Sequence, residues 1–591
     1  MVWHRGVYAP RKGAIFHLWR ALDARIVIPS ETGVESVWIP AHRTDTLPSD
    51  MTTTDHDPDR TADVLIVGAG ASGAAVAASL SEASFDVVCI EQGHWQDSFK
   101  YPSADPDFDL KAISSWSINP NKRRLPVDYP TNVEDSAVDP VMFNGVGGST
   151  IMWVAHTPRL HPSDFRVKSQ DDVADDWPIS YEDLEPWYDL NDHVMGCSGI
   201  SGDPANPPRS TRPMPPIPIG RDGEMIAGAF DRLGWHWWPS DAYINSTRYG
   251  EGRDACNFCG HNMLGCYQRA KASTDLTYWP RAIDQGTELV TGARVREITT
   301  DSTGRATGVN YLDAEGIDRH RSARAVVMAA NGIGTPRLLL LSDSEKSPNG
   351  LSNSSGLVGK NLMFHMFGGA SGVFPNHPDP WVGPVANIIL SQEFYETDSD
   401  RGFLRGYTFQ MGRGQGPGAI ARGVAGQRAP WGNEHHAILE RRFRNTLSLG
   451  CIGDDLPEEH NSVTLDKRLT DSSGLPAPKI TYRVSENSRA LLDHAIAQGT
   501  KVLEEAGATE ILINPQSRET GWHLLGTARM GNDPERSVVD KNGQSHDVDN
   551  LFIVDGSVFV TGGAVNPTPT IQAIALRTAD YIINERGDLK A

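Results

Sequence analysis

A continuous apolar run, Val64–Val67, and a second apolar strand, Asp86–Ile90, frame the stretch "DVLIVGAGASGAAVAASLSEASFDVVCIE". Unbroken apolar runs of this length predict strands buried on both faces, as in a parallel sheet. The alanine-rich residues between them carry helical spacing to about Leu80. Further along, "AVVMAANGIGTPRLLLL" (325–341) predicts a buried strand, a turn at Asn331, Gly332 and Gly334, and a leucine-rich helix opened by Pro336 as its first residue. "LFIVDGS" (551–557) predicts a strand ending at Asp555-Gly556. "SENSRALLDHAIAQGTKVLEEAG" (485–507) predicts a helix capped by Ser485, with Leu492, Ile496 and Leu503 on one face and Gly507 ending it. "LRGYTFQMGRGQGPGAIARGV" (404–424) reads as a strand running into a glycine-rich loop. There is no internal repeat and no long low-complexity linker. Buried-strand signals lie at both ends of the chain, so the domains are interleaved in sequence.

The first βαβ unit carries chemistry. Gly68-Ala69-Gly70-Ala71-Ser72-Gly73 follows the first strand at once, and Glu91 ends the second, eighteen residues beyond Gly73. Gly68 permits the tight turn, Gly70 lets backbone approach a pyrophosphate, and Gly73 lets helix and strand pack closely. Unpaired N–H groups at the helix N-terminus, with Ala71 and Ser72 in its first turn, suit phosphate oxygens. Glu91 is placed to accept from both ribose hydroxyls, which disfavours a 2′-phosphate. The motif leaves NAD and FAD open. Nucleotide-domain signals at both ends of the chain favour FAD, a large cofactor buried between segments.

With 591 residues the chain exceeds what one core supports. A net charge of −21 argues against nucleic acid and anionic membrane surfaces. No apolar run is long enough to span a bilayer. Six cysteines are too few for a disulfide framework and point to the cytoplasm. Residues 1–60 have scattered Trp3, Trp19 and Trp38 and no secretory apolar core, and read as a poorly structured leader, with Met51 a second candidate start.

Residues 62 to about 585 resemble the glucose–methanol–choline (GMC) flavoprotein oxidoreductases. The resemblance rests on the dinucleotide motif, "FNGVGGSTIMW" (143–153), "AANGIGTPRLLLLS", "GLVGKNLMFH" (356–365), and "HLLGTARMG" (523–531) with the following "VVD", "HDVDNLFIVDGSVF" and "NPTPTIQAIALRTAD". Within the family it is similar to the branch of pyranose oxidases, sugar 3-oxidoreductases and gluconate-type dehydrogenases. It implies an α/β fold, a Rossmann-like FAD-binding domain (61–179, 281–365 and 516–591) interleaved with an α+β substrate-binding domain carrying an antiparallel sheet (180–280 and 366–515). It implies that Gly145, Gly147 and Gly148 line the flavin and that Asp555-Gly556 approaches its phosphates. Ser149, Val295, Asn566, Pro567 and Thr568 complete the implied cofactor contacts. Some pyranose oxidases attach the flavin to a histidine where this chain has Met152, so non-covalent FAD is expected.

Oxidising an alcohol requires removal of the hydroxyl proton and transfer of hydride from carbon. A neutral histidine is a fitting base, contributing about 10²–10⁴ in rate. Taken alone, a histidine in the apolar run around Trp522, Leu524 and Leu525 is more often a satisfied core residue, and Asn566, before two prolines and a helical run, an ordinary cap. The family motifs set His523 and Asn566 as the catalytic pair. Since a carboxamide cannot take a proton, His523 is the expected base. The implied function is FAD-dependent oxidation of a sugar, glycoside, polyol or other alcohol, with oxygen, a quinone or a protein taking the electrons. A lyase that keeps FAD without net redox chemistry, such as a hydroxynitrile lyase, is the alternative, and an inactive flavin-binding module a third.

Cys256, Cys259 and Cys266 fall within eleven residues, beside His261. The plain reading is a compact loop. The others are an iron–sulfur cluster and a zinc site using His261. Glycine- and proline-rich stretches at 374–384 and 425–436 read as loops that either cap the cavity or connect elements at the surface.

Overall fold

The computed structural model describes residues 60–375, 383–386, 388–413, 416–423 and 428–591. The expected leader, apart from Arg60, lies outside these residues, as do parts of the 374–384 and 425–436 loops.

In chain order, strand β1 (Ala62–Val67), helix α1 (Ala71–Glu82) and strand β2 (Val87–Glu91) form where the apolar pattern predicts them. There follow β3 (Asn132–Ser136), α2 (Tyr181–Met195), β4 (Trp238–Pro239), β5 (Glu288–Thr291), β6 (Arg294–Thr300), β7 (Ala306–Leu312), β8 (Asp318–Met328) and α3 (Asn331–Leu341). The remainder comprises β9 (Met366–Val373), β10 (Ile389–Ser391), β11 (Tyr407–Gly412), β12 (Thr446–Gly453), β13 (Ser462–Thr470), β14 (Pro476–Tyr482), α4 (Glu486–Glu505), β15 (Glu510–Asn514), β16 (Leu551–Ile553) and α5 (Thr568–Glu585). Further helices intervene, among them Gly220–Leu233.

The largest sheet has the order β5-β2-β1-β8-β7-β6. Strands β5, β2 and β1 pair in parallel with one another and with the C-terminal half of β8, on whose other side β16 is also parallel. The N-terminal half of β8 pairs antiparallel with β7, and β7 with β6. Ten successive residues of α1, Ser72–Ser81, are buried. Their small side chains let α1 lie between the sheet and α5, so strands and helices from the two ends of the chain share one core.

A second sheet, β15-β9-β12-β11-β10-β4, is antiparallel throughout, and α4 packs across β9 and β12. As expected, Ser485 caps α4, accepting from the Ser488 N–H at 3.0 Å. A small third sheet joins β3, from the N-terminal region, to the β13–β14 hairpin.

Two local expectations are corrected. Pro336 does not open its helix, because α3 begins five residues earlier at Asn331. An internal proline removes one helical donor, here the partner of the Gly332 carbonyl. The Thr527 hydroxyl supplies that donor at 2.8 Å, so the helix runs through. The glycine-rich segment after β11 is also not all loop, since Pro417–Arg422 forms a short helix with proline in its first turn.

Candidate active site

A cavity of about 1050 Å³ opens between the two large sheets. That is the upper end of ordinary ligand sites, room for a dinucleotide together with a small substrate. Gly68, Gly70, Ala71, Ser72 and Glu91 line one end. Gly145, Gly148, Ser149 and Val295 line the middle, and Asp555, Gly556, Asn566, Pro567 and Thr568 come from the tail. The opposite wall is the antiparallel sheet, where Gly368, Gly369, Gly412 and Gly450 line the cavity with backbone alone.

Gly73 and Gly147 stand behind the lining. A Cβ on Gly73 would meet the Gly68 carbonyl oxygen at 2.0 Å, so helix and strand touch there through backbone alone. Gly147, at φ +96°, donates its N–H to the Ala69 carbonyl at 2.9 Å and ties the second glycine turn to the first. Gly73→Ala is therefore expected to part β1 from α1 and destabilise the protein by about 1–3 kcal/mol. Bound flavin should fall with it, read as flavin absorbance per protein in the purified variant.

The lining fits a dinucleotide. The N-termini of α1 and α5 both open on the cavity, directing unpaired N–H groups and the positive ends of the helix dipoles inward. Glu91 accepts from the Ala69 N–H at 2.9 Å and the Gly93 N–H at 2.8 Å, which fixes the carboxylate and leaves lone pairs for ribose hydroxyls. Burial raises its pKa while these two N–H groups lower it. Asp555, likewise fixed by the Ser557 N–H at 2.9 Å and the Thr335 hydroxyl, lines the cavity just beyond the C-terminal end of β16.

His523 reaches the cavity because of how "HLLGTARMG" is threaded. Leu525 and Met363 exchange backbone hydrogen bonds at 3.0 and 3.2 Å as an antiparallel bridge. In that register, the residue two before Leu525 opposes the residue two after Met363, which sets His523 across from His365. Gly526, at φ +89°, follows where a Cβ would meet the Asn361 carbonyl at 2.3 Å, so only glycine passes. Gly526 then pairs with Gly556, Ala528 with Ser557 and Met530 with Val558.

The two rings are perpendicular, with Nδ1 to Nδ1 at 2.7 Å. His365 Nε2 lies 2.6 Å from the Gly563 carbonyl. A carbonyl only accepts, so Nε2 of His365 carries the proton. Burial holds the pKa of His365 at about 4, so the ring is neutral and its Nδ1 is an acceptor. His523 must then donate from Nδ1, and its own Nε2 keeps a free lone pair. Burial, and secondarily the neighbouring His365, hold the pKa of His523 well below the ordinary histidine value. Its ring lies deep in the molecule yet lines the cavity.

Asn566 does not cap α5; Pro567 occupies that position. Its Oδ1 accepts from Gln410 Nε2 at 2.6 Å, which leaves the amide N–H groups as the donors it can offer, and both residues line the cavity. His365 was visible in the sequence as the last residue of "GLVGKNLMFH". Gln410 and His156, also on the cavity wall, carried no such signal.

The structure does not gather the cysteine loop into a metal centre. Among the described residues, no three His, Cys, Asp or Glu side chains converge to hold an ion, and Cys256, Cys259 and Cys266 are free. Cys259 is exposed, the Cys266 thiol accepts the Lys271 N–H, and His261 packs on Phe108 at the cavity. Lys271 stabilises the adjoining turn, donating to the Ile151 and Trp153 carbonyls at 2.8 and 2.7 Å.

The chain is 43% identical over 537 residues to 2-methyl-1,2-propanediol dehydrogenase of Mycolicibacterium austroafricanum, covering 89% of this chain and 96% of that one. Residues 241–367 and 457–575 match models of GMC oxidoreductase, and 66–123 a model of an NAD(P)-binding Rossmann-like domain. The chain belongs to the GMC oxidoreductase family. Among similar members is the fructose dehydrogenase large subunit of Gluconobacter japonicus, 30% identical over 89% of this chain and 98% of that one. The GMC fold is also that of pyridoxine 4-oxidase from Mesorbium loti (TM-score 0.60, 19% identity, 88% and 98% covered). Formate oxidase from Aspergillus oryzae is similar too (TM-score 0.64, 14% identity, 90% and 100% covered). Among the described residues no helix is long and apolar enough to cross a membrane.

Proposed function

We propose that this GMC oxidoreductase oxidises a CH–OH group of a small polyol, sugar or related alcohol to a carbonyl, with His523 as general base and Asn566 as the hydrogen-bond donor to the substrate oxygen. The observation that carries this reading is the proton order of the histidine pair. With Nδ1–H of His523 given to His365, the basic Nε2 is the nitrogen left for the substrate.

FAD, held by the Gly68–Gly73 turn, Glu91, the Gly145–Ser149 turn, Val295 and the Asp555–Gly556 and Asn566–Thr568 segments, would supply the ring that takes the hydride. His523 Nε2 takes the hydroxyl proton and the imidazolium shares its new charge with His365. The Asn566 amide holds the oxygen as it gains carbonyl character, and the Gln410 bond keeps that amide from turning away. The glycine-lined sheet walls the reacting carbon from water.

Met152, on the cavity wall, offers no nitrogen for attachment, so the cofactor is proposed to be non-covalent and released on denaturation. The relatives named for a propanediol and for fructose support a hydroxyl-rich substrate. Free cysteines throughout suit a reducing compartment such as the cytoplasm. Anaerobic mixing of the FAD-loaded protein with sugars, glycosides and alcohols tests the reading: a substrate bleaches the flavin absorbance. A hydroxynitrile-cleaving lyase would turn over its substrate with the flavin still oxidised.

A pH prediction follows from the histidine pair. His523 stays unprotonated well below its ordinary pKa of about 6.5. The rate of flavin reduction at saturating alcohol should therefore stay level from about pH 8 to about pH 6 and fall only in more acid solution. A limb centred at about 6.5 or higher contradicts it.

A further inference from the structure

We propose that Gly450 is a specificity-determining residue: the side chain it lacks leaves the berth for the body of the substrate beside the reacting carbon, so that the enzyme admits alcohols branched at the neighbouring carbon. This rests on the alcohol-oxidation reading above and adds to it what sets the width of the substrate.

Gly450 lies in the middle of β12, with β9 on one side and β11 on the other. Glycine weakens a strand interior, and is kept there for a bulge, a strained backbone or the close approach of another group. The first two do not apply. The ladders to β9 and β11 run without a register shift, and Gly450 has no left-handed φ. Nor does the protein itself crowd the position. A Cβ there would meet nothing nearer than the Gly368 carbonyl oxygen at 3.8 Å and the Gln410 carbonyl oxygen at 3.9 Å. Other glycines of this wall differ. At Gly369, with φ +151°, a Cβ would meet the Leu449 carbonyl oxygen at 2.2 Å, and at Gly412 the Ser448 hydroxyl at 2.3 Å. Those two serve the sheet, whereas the reason for Gly450 lies in front of it.

Phe409 and Leu449 turn toward α4, where a Cβ on Gly499 would touch them at 3.3 and 3.8 Å. Side chains alternate along a strand, so positions 410 and 450 face the cavity, and both line it. Gly450 pairs directly with Gln410 across the ladder. Residues so paired project from one face with Cβ atoms about 4.5–5.5 Å apart. Gln410 in turn gives an Nε2 N–H to Asn566 at 2.6 Å. A side chain at position 450 would therefore stand beside the pair of carboxamides that holds the substrate oxygen. On the other side of Gly450 the row continues through Gly369 to Asn514 of β15. Two neighbouring strands thus present bare backbone between Gln410 and Asn514. None of the strand residues of this sheet that line the cavity carries a charge, which suits an uncharged, bulky body and does not suit a carboxylate or phosphate.

The test titrates the FAD-loaded wild type, Gly450→Ala and Gly450→Val anaerobically with 1,2-ethanediol and 2-methyl-1,2-propanediol. The two diols present the same pair of hydroxyls and differ by two methyl groups on one carbon. The rate constant of flavin bleaching and the half-saturating concentration for perturbing the flavin spectrum are both read, with flavin content and melting temperature. The wild type is expected to take the branched diol at least as well as the slender one. Gly450→Val should lose at least about tenfold more with the branched diol than with the slender one, and Gly450→Ala an intermediate amount. Gly450→Ala should keep its FAD and melt at or above the wild type, because alanine has less chain entropy to lose. A wild type that answers poorly or not at all to the branched diol overturns the proposal, as does an equal loss with both diols in flavin-loaded Gly450→Val. Loss of FAD from Gly450→Ala also overturns it, and gives the berth to the cofactor. A flavin that both diols perturb but never bleach strikes instead at the alcohol-oxidation reading, and the half-saturating concentrations then decide the role of Gly450.

Discussion

His523→Ala should slow flavin reduction by its alcohol by about 10²–10⁴-fold, the usual worth of a positioned general base. The variant should still bind FAD, because the cofactor contacts come from the glycine turns, Glu91 and the tail segments rather than from this ring. Its small side chain leaves the Leu525–Met363 bridge intact, so the fold around it persists. Asn566→Ala should lose less, about 10- to 100-fold, since it removes one hydrogen bond to the substrate oxygen and no proton acceptor. Single-turnover stopped-flow of both variants, normalised to flavin content, measures the difference. Equal losses, or an unchanged rate in His523→Ala, would falsify the assignment of the base.

The second large effect is expected at His365, which reaches the reaction only through His523. His365→Phe removes the acceptor for His523 Nδ1–H, so the proton is free to move to Nε2 and the ring to turn. Groups that orient a functional histidine are commonly worth about 10–100-fold, and that loss is expected here. His365→Gln has an oxygen that can accept from Nδ1, and should recover part of the rate. A residue that merely filled space would show no such recovery. The pH profile is the second readout: with the group that meets His523 Nδ1–H gone, the acid limb should move from its wild-type position in His365→Phe. A flavin-loaded His365→Phe with wild-type rate and pH profile would show that the proton order of the pair does not matter.

The nucleotide half was legible because it depends on local, short-range features. Continuous apolar runs gave β1, β2, β8 and β16, and the glycines and Glu91 have tasks that follow from strand–turn–helix geometry. The His523–His365 contact was not legible. It depends on an antiparallel bridge between segments more than 150 residues apart, and the glycines that allow it have no local signature beyond their presence. Gln410 was hidden for a related reason. Strand β11 reads as a plain strand, and only its place between β10 and β12 turns that side chain toward Asn566. The Pro336 misreading is similar: proline suits a helix start unless a distant hydroxyl, here Thr527, serves the carbonyl it leaves without a donor. For the cysteines, closeness in sequence does not become convergence of three ligating side chains among the described residues.

The proposal that His523 and Asn566 deliver an alcohol's hydrogen to a dinucleotide-bound ring is tested most directly by reduction of the FAD-loaded wild type with an alcohol deuterated at its carbinol carbon. The account predicts anaerobic bleaching of the flavin, one flavin per alcohol oxidised, slowed by that deuterium. Consumption of the alcohol with the flavin still oxidised, or bleaching that ignores the deuterium, would contradict it.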